Sequence, residues 1–135
     1  MKRKSRTEYK KDWRAVNPAK SSEYAKAYRD KYPERAKEAS KARAARNRKI
    51  LKEIVMAVYS GGRCACCGET EISFLTIDHV DGGGQKHRKE VGKAGSPFYK
   101  WLKDNGFPGG FQALCANCNQ SKSINGGTCA HQLTK

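Results

Sequence analysis

The chain has 135 residues, and its 28 lysines and arginines against 13 acidic residues give a formal net charge of +15. This length supports one small domain and excludes a large enzyme with a deep buried pocket. Residues 1–50 carry 18 basic and 6 acidic side chains, a net of +12, whereas residues 51–135 carry 10 and 7, a net of only +3. An excess gathered on one segment points to a polyanionic partner, nucleic acid above all. The longest mainly apolar stretch, Ile50 to Tyr59, is broken by Lys52 and Glu53 and is about half of what a bilayer requires. The polar N-terminus shows no apolar leader, so a cytoplasmic protein with no membrane partner is expected.

Residues 1–49 read as a basic helical repeat segment. Tyr9, Trp13, Asn17-Pro18 and Glu23 recur as Tyr24, Tyr28, Tyr32-Pro33 and Glu38, and Lys20 returns as Arg35. Proline suits the first position of a helix, because the N–H it lacks has no partner there. Helices are therefore expected from about Ala19 to Asp30 and from about Glu34 to Tyr59, the second stopped by Gly61-Gly62. Few large aliphatic residues precede Ile50, so the segment has no core of its own. Its aromatics are interleaved with basic residues, of which Arg14, Lys20, Arg29, Arg35, Arg43 and Arg46 are the candidate contacts to a DNA backbone. A solvated basic tail, ordered only when bound, is the plainer alternative.

A second region, 50–125, follows. Ile50, Ile54, Val55 and Val58 are expected to share the helical face that docks on a core. Phe74 to Asp78 reads as a short strand, Asp81 to Gln85 as a glycine-rich turn, and Lys86-His87-Arg88-Lys89 as a basic run. Ser96 and Pro97 open a helix over Phe98 to Lys103, with Phe98, Trp101 and Leu102 inward. A loop over 106–110 leads to a second strand, Phe111 to Leu114, and to a helix ending near Ile124. Residues 126–135, including His131, read as a tail.

The six cysteines are expected to be reduced. Cys64 with Cys67, and Cys115 with Cys118, form two C-x2-C turns. Facing each other, these make a closed four-thiolate site for structural zinc, worth on the order of 10 kcal/mol of folding free energy. Gly68 suits the turn of such a knuckle. Cys66 and Cys129 are read as free thiols. Six ordinary small core residues are the alternative to any metal.

Between the pairs stands Asp78-His79, and directly after the second pair stands Asn119. Bringing the cysteines together brings these three together. A carboxylate and an amide oxygen are hard ligands for Mg2+ or another divalent cation, and a nearby imidazole takes a proton from water near neutral pH. Phosphodiester hydrolysis needs that combination.

The strings "CACCG", "LTIDHVDGGG" and "FQALCANCNQSK", in this order over residues 60 to 125, resemble the HNH endonucleases. They are particularly similar to phage endonuclease VII-like resolvases and to small phage and mobile-element HNH proteins. The resemblance implies an α+β protein: a small zinc-stapled ββα-metal core preceded by basic N-terminal helices. It implies that Asp78 and Asn119 hold the catalytic divalent metal, that His79 is the general base, and that Cys64, Cys67, Cys115 and Cys118 bind zinc. It further implies cleavage of duplex or branched DNA in the cytoplasm, that of the host cell for a phage gene.

The chain departs from the family pattern at two points. The central Asn that orients the base histidine in many members is replaced by Gly110, leaving a backbone carbonyl, Asn117 or Gln112 as candidates for that task. The final metal ligand is Asn119 rather than His. His87 either joins the reactive site or belongs to a phosphate-touching basic loop with Arg88. Lys122, one helical turn after Asn119, either contacts phosphate or is a surface lysine. A non-catalytic, zinc-stabilised DNA- or RNA-binding module is the rival function. Monomer and homodimer, and nick and double-strand break, stay open.

Overall fold

The computed structural model describes residues 3–133. Among the described residues the chain is mixed α+β, mostly helical, with one small sheet. It divides into two compact units between Ala45 and Arg46, inside a continuous helix and a few residues before the expected boundary at 49/50.

The first unit contains α1 (Arg6–Val16), α2 (Pro18–Lys31) and the start of α3 (Pro33–Ser60). Helix α1 is additional to the two helices expected in this segment. It is opened by a reciprocal cap in which Glu8 N–H donates to Ser5 Oγ and Ser5 N–H donates to the Glu8 carboxylate. Pro18 and Pro33 stand at the first positions of α2 and α3, so the sequence repeat is a repeat of helix starts. No residue of α1 or α2 is buried. Trp13 contacts Tyr24 with ring centroids 6.1 Å apart, and Tyr28 contacts Tyr32 at 5.2 Å. The Trp13–Tyr24 ring contact, rather than an aliphatic core, joins α1 to α2.

The second unit contains the rest of α3, a 3-10 turn (Ile72–Phe74), β1 (Leu75–His79), α4 (Gly84–Val91), α5 (Ser96–Asp104), β2 (Phe111–Cys115), α6 (Ala116–Ile124) and α7 (Ala130–Leu133). Strands β1 and β2 pair antiparallel, with Leu75 opposite Cys115, Asp78 opposite Gln112 and His79 opposite Phe111. Phe74 falls in the 3-10 turn and is exposed. The basic run 86–89 lies on helix α4 rather than in a loop.

Two apolar clusters support this sheet. Met56, Leu75, Ala113 and Leu114 gather with Cys64, Cys115, Cys118 and Cys129. Val55, Phe98 and Leu102 form the other, flanked by Leu51, Tyr59, Trp101, Phe107 and Phe111. The docking face of α3 keeps Val55 from the expected set but not Ile50, Ile54 or Val58. Val55 and Met56 are fully buried, while Ile50, Ile54 and Val58 are exposed. Both faces are apolar, and the face carrying Leu51, Val55 and Tyr59 is the one that meets α5.

Residues 126–133 are not a loose tail. Gly126 and Gly127, with φ of 63° and 106°, turn the chain back after α6, as residues with a Cβ rarely do. Ala130 N–H donates to Ser121 Oγ at 2.9 Å, and Cys129 is 3% exposed. Four of the eleven buried apolar side chains among the described residues are cysteines, so apolar burial leaves much of this unit's cohesion to what the sulfurs hold. No helix among the described residues is long and apolar enough to cross a membrane.

Candidate functional site

The cysteine centre is built by three local devices. After α3, the Cys64–Cys67 turn closes through Gly68 N–H to the Cys64 carbonyl at 3.0 Å, with Gly68 at φ 82°. Ala65 N–H donates to the Ala113 carbonyl at 2.9 Å, which fastens this turn to β2. Cys115 ends β2 and caps α6, its sulfur accepting from Cys118 N–H at 3.4 Å. The sulfurs of Cys64, Cys67, Cys115 and Cys118 consequently lie within 4.8 Å of one another. Cys67 Sγ and Cys115 Sγ stand 3.7 Å apart, too far for a disulfide. Four sulfurs so disposed suit one tetrahedral metal ion.

Burial pushes the Cys64 thiol up, but the backbone N–H groups of Cys67, Cys115 and Cys66 outweigh it and bring the thiol to about 7. For Cys118, burial and the sulfurs of Cys115, Cys67, Cys66 and Cys129 all push the thiol up. A cation at the centre of these groups reverses that balance and favours thiolates.

Cys66, Cys129 and His131 are not isolated. With Cys118 they form a second group of donor atoms, again within 4.8 Å of one another. Cys66 and Cys129 remain free cysteines, as expected, but they and His131 lie together beside Cys118 rather than apart or in a loose tail. A signal was available: Cys129-Ala-His131 is a second short ligand spacing, placed just after a Gly-Gly turn that can reverse the chain.

A separate groove of about 760 Å3 runs over the end of the sheet. Asp78, His79, Asp81, Arg88, Asn119 and Lys122 are among the residues that border it, together with the glycines 82–84 and 126–127. Asp78, His79 and Asn119 are thereby brought to one groove, as their order in the chain implied. Adjacent strand residues face opposite sides of a sheet, and these two follow that rule. Asp78 faces α6, where its Oδ2 accepts from Lys122 Nζ at 2.6 Å and from Gln112 Nε2 at 2.9 Å. His79 faces α4 and α5, where its ring lies against Phe98, Phe111 and His87.

His79 Nε2 lies 2.9 Å from His87 Nδ1. His87 itself is half-buried against Phe98, Trp101 and Phe111. It is a fixed neighbour of His79, not an exposed member of a basic loop. Gln112, one candidate for orienting His79, instead holds Asp78, and Asn117 is exposed on α6. Gly110 accepts from Val80 N–H at 3.0 Å, extending the strand pairing beyond His79. Burial lowers the His79 pKa from 6.5, as do His87, Arg88 and Lys122, and Asp78 opposes them without prevailing. The shift favours the neutral imidazole.

Lys122 is 9% exposed, and its ammonium donates to Asp78, to the His79 carbonyl at 2.7 Å and to the Val80 carbonyl at 2.8 Å. All three of its hydrogens are committed, so a phosphate contact by Lys122 would require this clamp to open. Both contacts to Asp78 fall on Oδ2, which leaves Oδ1 outside the clamp.

Arg88 is exposed on α4. In the first unit, Arg14, Lys20, Arg29, Arg35 and Arg43 are all exposed, as is Arg46 just beyond it. Tyr9, Trp13 and Tyr24 line a crevice of about 610 Å3 with Lys10 and Arg14. The chain matches none of the protein families, curated proteins or solved structures with which it was compared.

Proposed function

We propose that the protein is a metal-dependent HNH-type endonuclease with a ββα-metal core, hydrolysing DNA phosphodiester bonds. The observation that carries this reading is the convergence of Asp78, His79 and Asn119 on one open groove beside a four-cysteine centre. Such a groove admits a nucleic-acid strand without a deep pocket. Zinc is the ion assigned to Cys64, Cys67, Cys115 and Cys118, since closed four-thiolate sites are its structural geometry.

In the tautomer that serves catalysis, His79 Nε2–H donates to His87 Nδ1, and His79 Nδ1 keeps its lone pair for a proton from water. Gly84 borders the groove beside Nδ1, where the Cβ of any other residue would come within 2.7 Å of that nitrogen. Asp78 and Asn119 would hold Mg2+ or a similar cation, whose contribution is charge neutralisation at the scissile phosphate and leaving oxygen. Lys122 and Gln112 hold the Asp78 carboxylate in place. The exposed arginines and lysines of the first unit neutralise backbone phosphates, which gives binding with little sequence preference.

The test is nicking of supercoiled plasmid by the zinc-loaded full chain, with Mg2+ added or omitted. His79→Ala is expected to abolish cutting while zinc content and the circular dichroism spectrum persist. Equal cutting by that variant refutes the mechanism. Omission of Mg2+ is a cleaner control than a chelator, which would also strip zinc and unfold the centre. One observation favours the non-catalytic alternative: the Lys122 ammonium already sits on Asp78. Tight DNA binding with no cutting in any divalent metal would decide for that alternative.

A further inference from the structure

We propose that the cysteine centre holds two metal ions rather than one, bridged by the thiolate of Cys118, with zinc as the ion in both positions. The second ion is bound by Cys66, Cys118, Cys129 and His131. This inference is independent of the nuclease reading.

The argument begins with the donors. Six cysteines and His131 converge on one region, and Cys118 belongs to both four-membered groups. Two tetrahedral ions need eight ligand positions, and sharing one bridging sulfur reduces this to seven residues. Seven are there. A single ion in the first group would leave three further ligand-type side chains, Cys66, Cys129 and His131, gathered around Cys118 without a role for their donor atoms.

The His131 distances also support the second position. Around a tetrahedral zinc, with sulfur at about 2.3 Å and nitrogen at about 2.0 Å, neighbouring sulfurs stand about 3.8 Å apart and sulfur and nitrogen about 3.5 Å apart. His131 Nδ1 lies 3.4 Å from Cys118 Sγ, 3.8 Å from Cys129 Sγ and 3.9 Å from Cys66 Sγ. One nitrogen thus faces three sulfurs at the edge lengths of a coordination tetrahedron. A hydrogen bond from one imidazole N–H would single out one sulfur.

Charge also balances. One zinc with four thiolates carries a net charge of −2. Adding a second Zn2+ while the Cys66 and Cys129 thiols each release a proton to water, with His131 neutral, leaves that net charge unchanged. No new charge is buried.

The second ion would tie α7 and the Gly126-Gly127 turn to the Cys64–Cys67 knuckle. That turn borders the groove, as does Thr128. The bridge on Cys118 lies one residue before Asn119, so the ion fixes a groove wall.

The test uses untagged full-length protein purified with zinc, its metal counted by native mass spectrometry and by elemental analysis. Two zinc ions per chain are expected. His131→Ala and Cys129→Ser should each bring the count from two to one, with the sheet and helices retained by circular dichroism. One zinc in the wild type overturns the proposal, whatever the variants do. Cobalt substitution tests the bridge. Two high-spin Co2+ ions sharing Cys118 should couple antiferromagnetically, with a moment below that of two isolated ions. Two cobalt ions with independent moments would overturn the shared thiolate.

Discussion

His79 Nε2 and His87 Nδ1 lie 2.9 Å apart and join the end of β1 to the middle of α4. On the proposed nuclease reading His79 is the base, and His87 is the neighbour placed to orient its ring. His87→Ala is expected to lower kcat for plasmid nicking about 10- to 100-fold, the usual loss when a hydrogen-bonded orienting group is removed, with KM little changed. His87→Asn places an amide oxygen near the position of Nδ1 and should restore part of the rate. Unequal kcat and KM effects, with rescue by Asn, separate positioning from a general loss of fold.

Gly84 is required by space rather than by backbone angle. A Cβ there would lie 2.7 Å from His79 Nδ1 and 3.2 Å from Cε1. Gly84→Ala should therefore displace the imidazole and cost more than tenfold in cutting, while thermal stability changes by no more than about 1 kcal/mol. Gly82→Ala is the control. Its φ is 78°, so strain destabilises it, yet no atom lies within 4 Å of the added carbon and His79 is untouched. Activity at saturating substrate should separate the two variants in the direction opposite to stability.

The Lys122–Asp78 pair is a structural clamp as well as a border of the groove. Lys122→Met would leave Asp78 beside an apolar chain and remove the donor from the His79 and Val80 carbonyls. Breaking a buried pair from one side costs roughly 3–5 kcal/mol. A drop of that size in urea denaturation, at constant zinc content, is the expected result. A change below 1 kcal/mol would mean that Lys122 is a free surface cation.

The sequence exposed some of this architecture and hid the rest for physical reasons. The two C-x2-C turns, the strand before His79 and the helix after Cys115 were legible because short ligand spacings and a β-branched run constrain the backbone locally. The docking face of α3 was not legible. Ile50, Ile54 and Val58 make as good an apolar stripe as Leu51, Val55 and Tyr59, and only the position of Phe98 and Leu102 on α5 selects the second. The His79–His87 pair depends on α4 folding back after three glycines, which periodicity does not record. Cys129 and His131 depend likewise on the reversal at Gly126-Gly127. Helix α1 does carry a local signal, Ser5 followed three residues later by Glu8.

His79 should titrate below 6.5, because burial disfavours its charged form and His87 adds to that effect. The unfolded chain then takes up its proton at higher pH than the folded chain does. Between 6.5 and the lower folded value, unfolding binds protons, so stability rises with pH and is lost as pH falls through this window. An NMR titration of the zinc-loaded protein should place the His79 ring midpoint below 6.5. In His87→Asn the midpoint should move up towards the ordinary value. A wild-type midpoint above 6.5 would contradict both the burial argument and a neutral base at pH 7.

The charge gathered on the first unit sets the salt dependence of binding. Arg14, Arg29, Arg35 and Arg43 are exposed, so replacing all four by Gln should leave zinc content and secondary structure unchanged. Each phosphate contact removed should flatten the slope of log affinity against log salt by about 0.9 for duplex DNA. Fluorescence anisotropy with a duplex at several salt concentrations measures that slope directly. Asp78, His79 and Asn119 are untouched, so the cutting rate at saturating DNA should stay within about twofold of wild type while KM rises. An unchanged slope would assign the phosphate contacts elsewhere on the chain. A large fall in the saturated rate would show that these helices take part in cutting as well as in holding DNA.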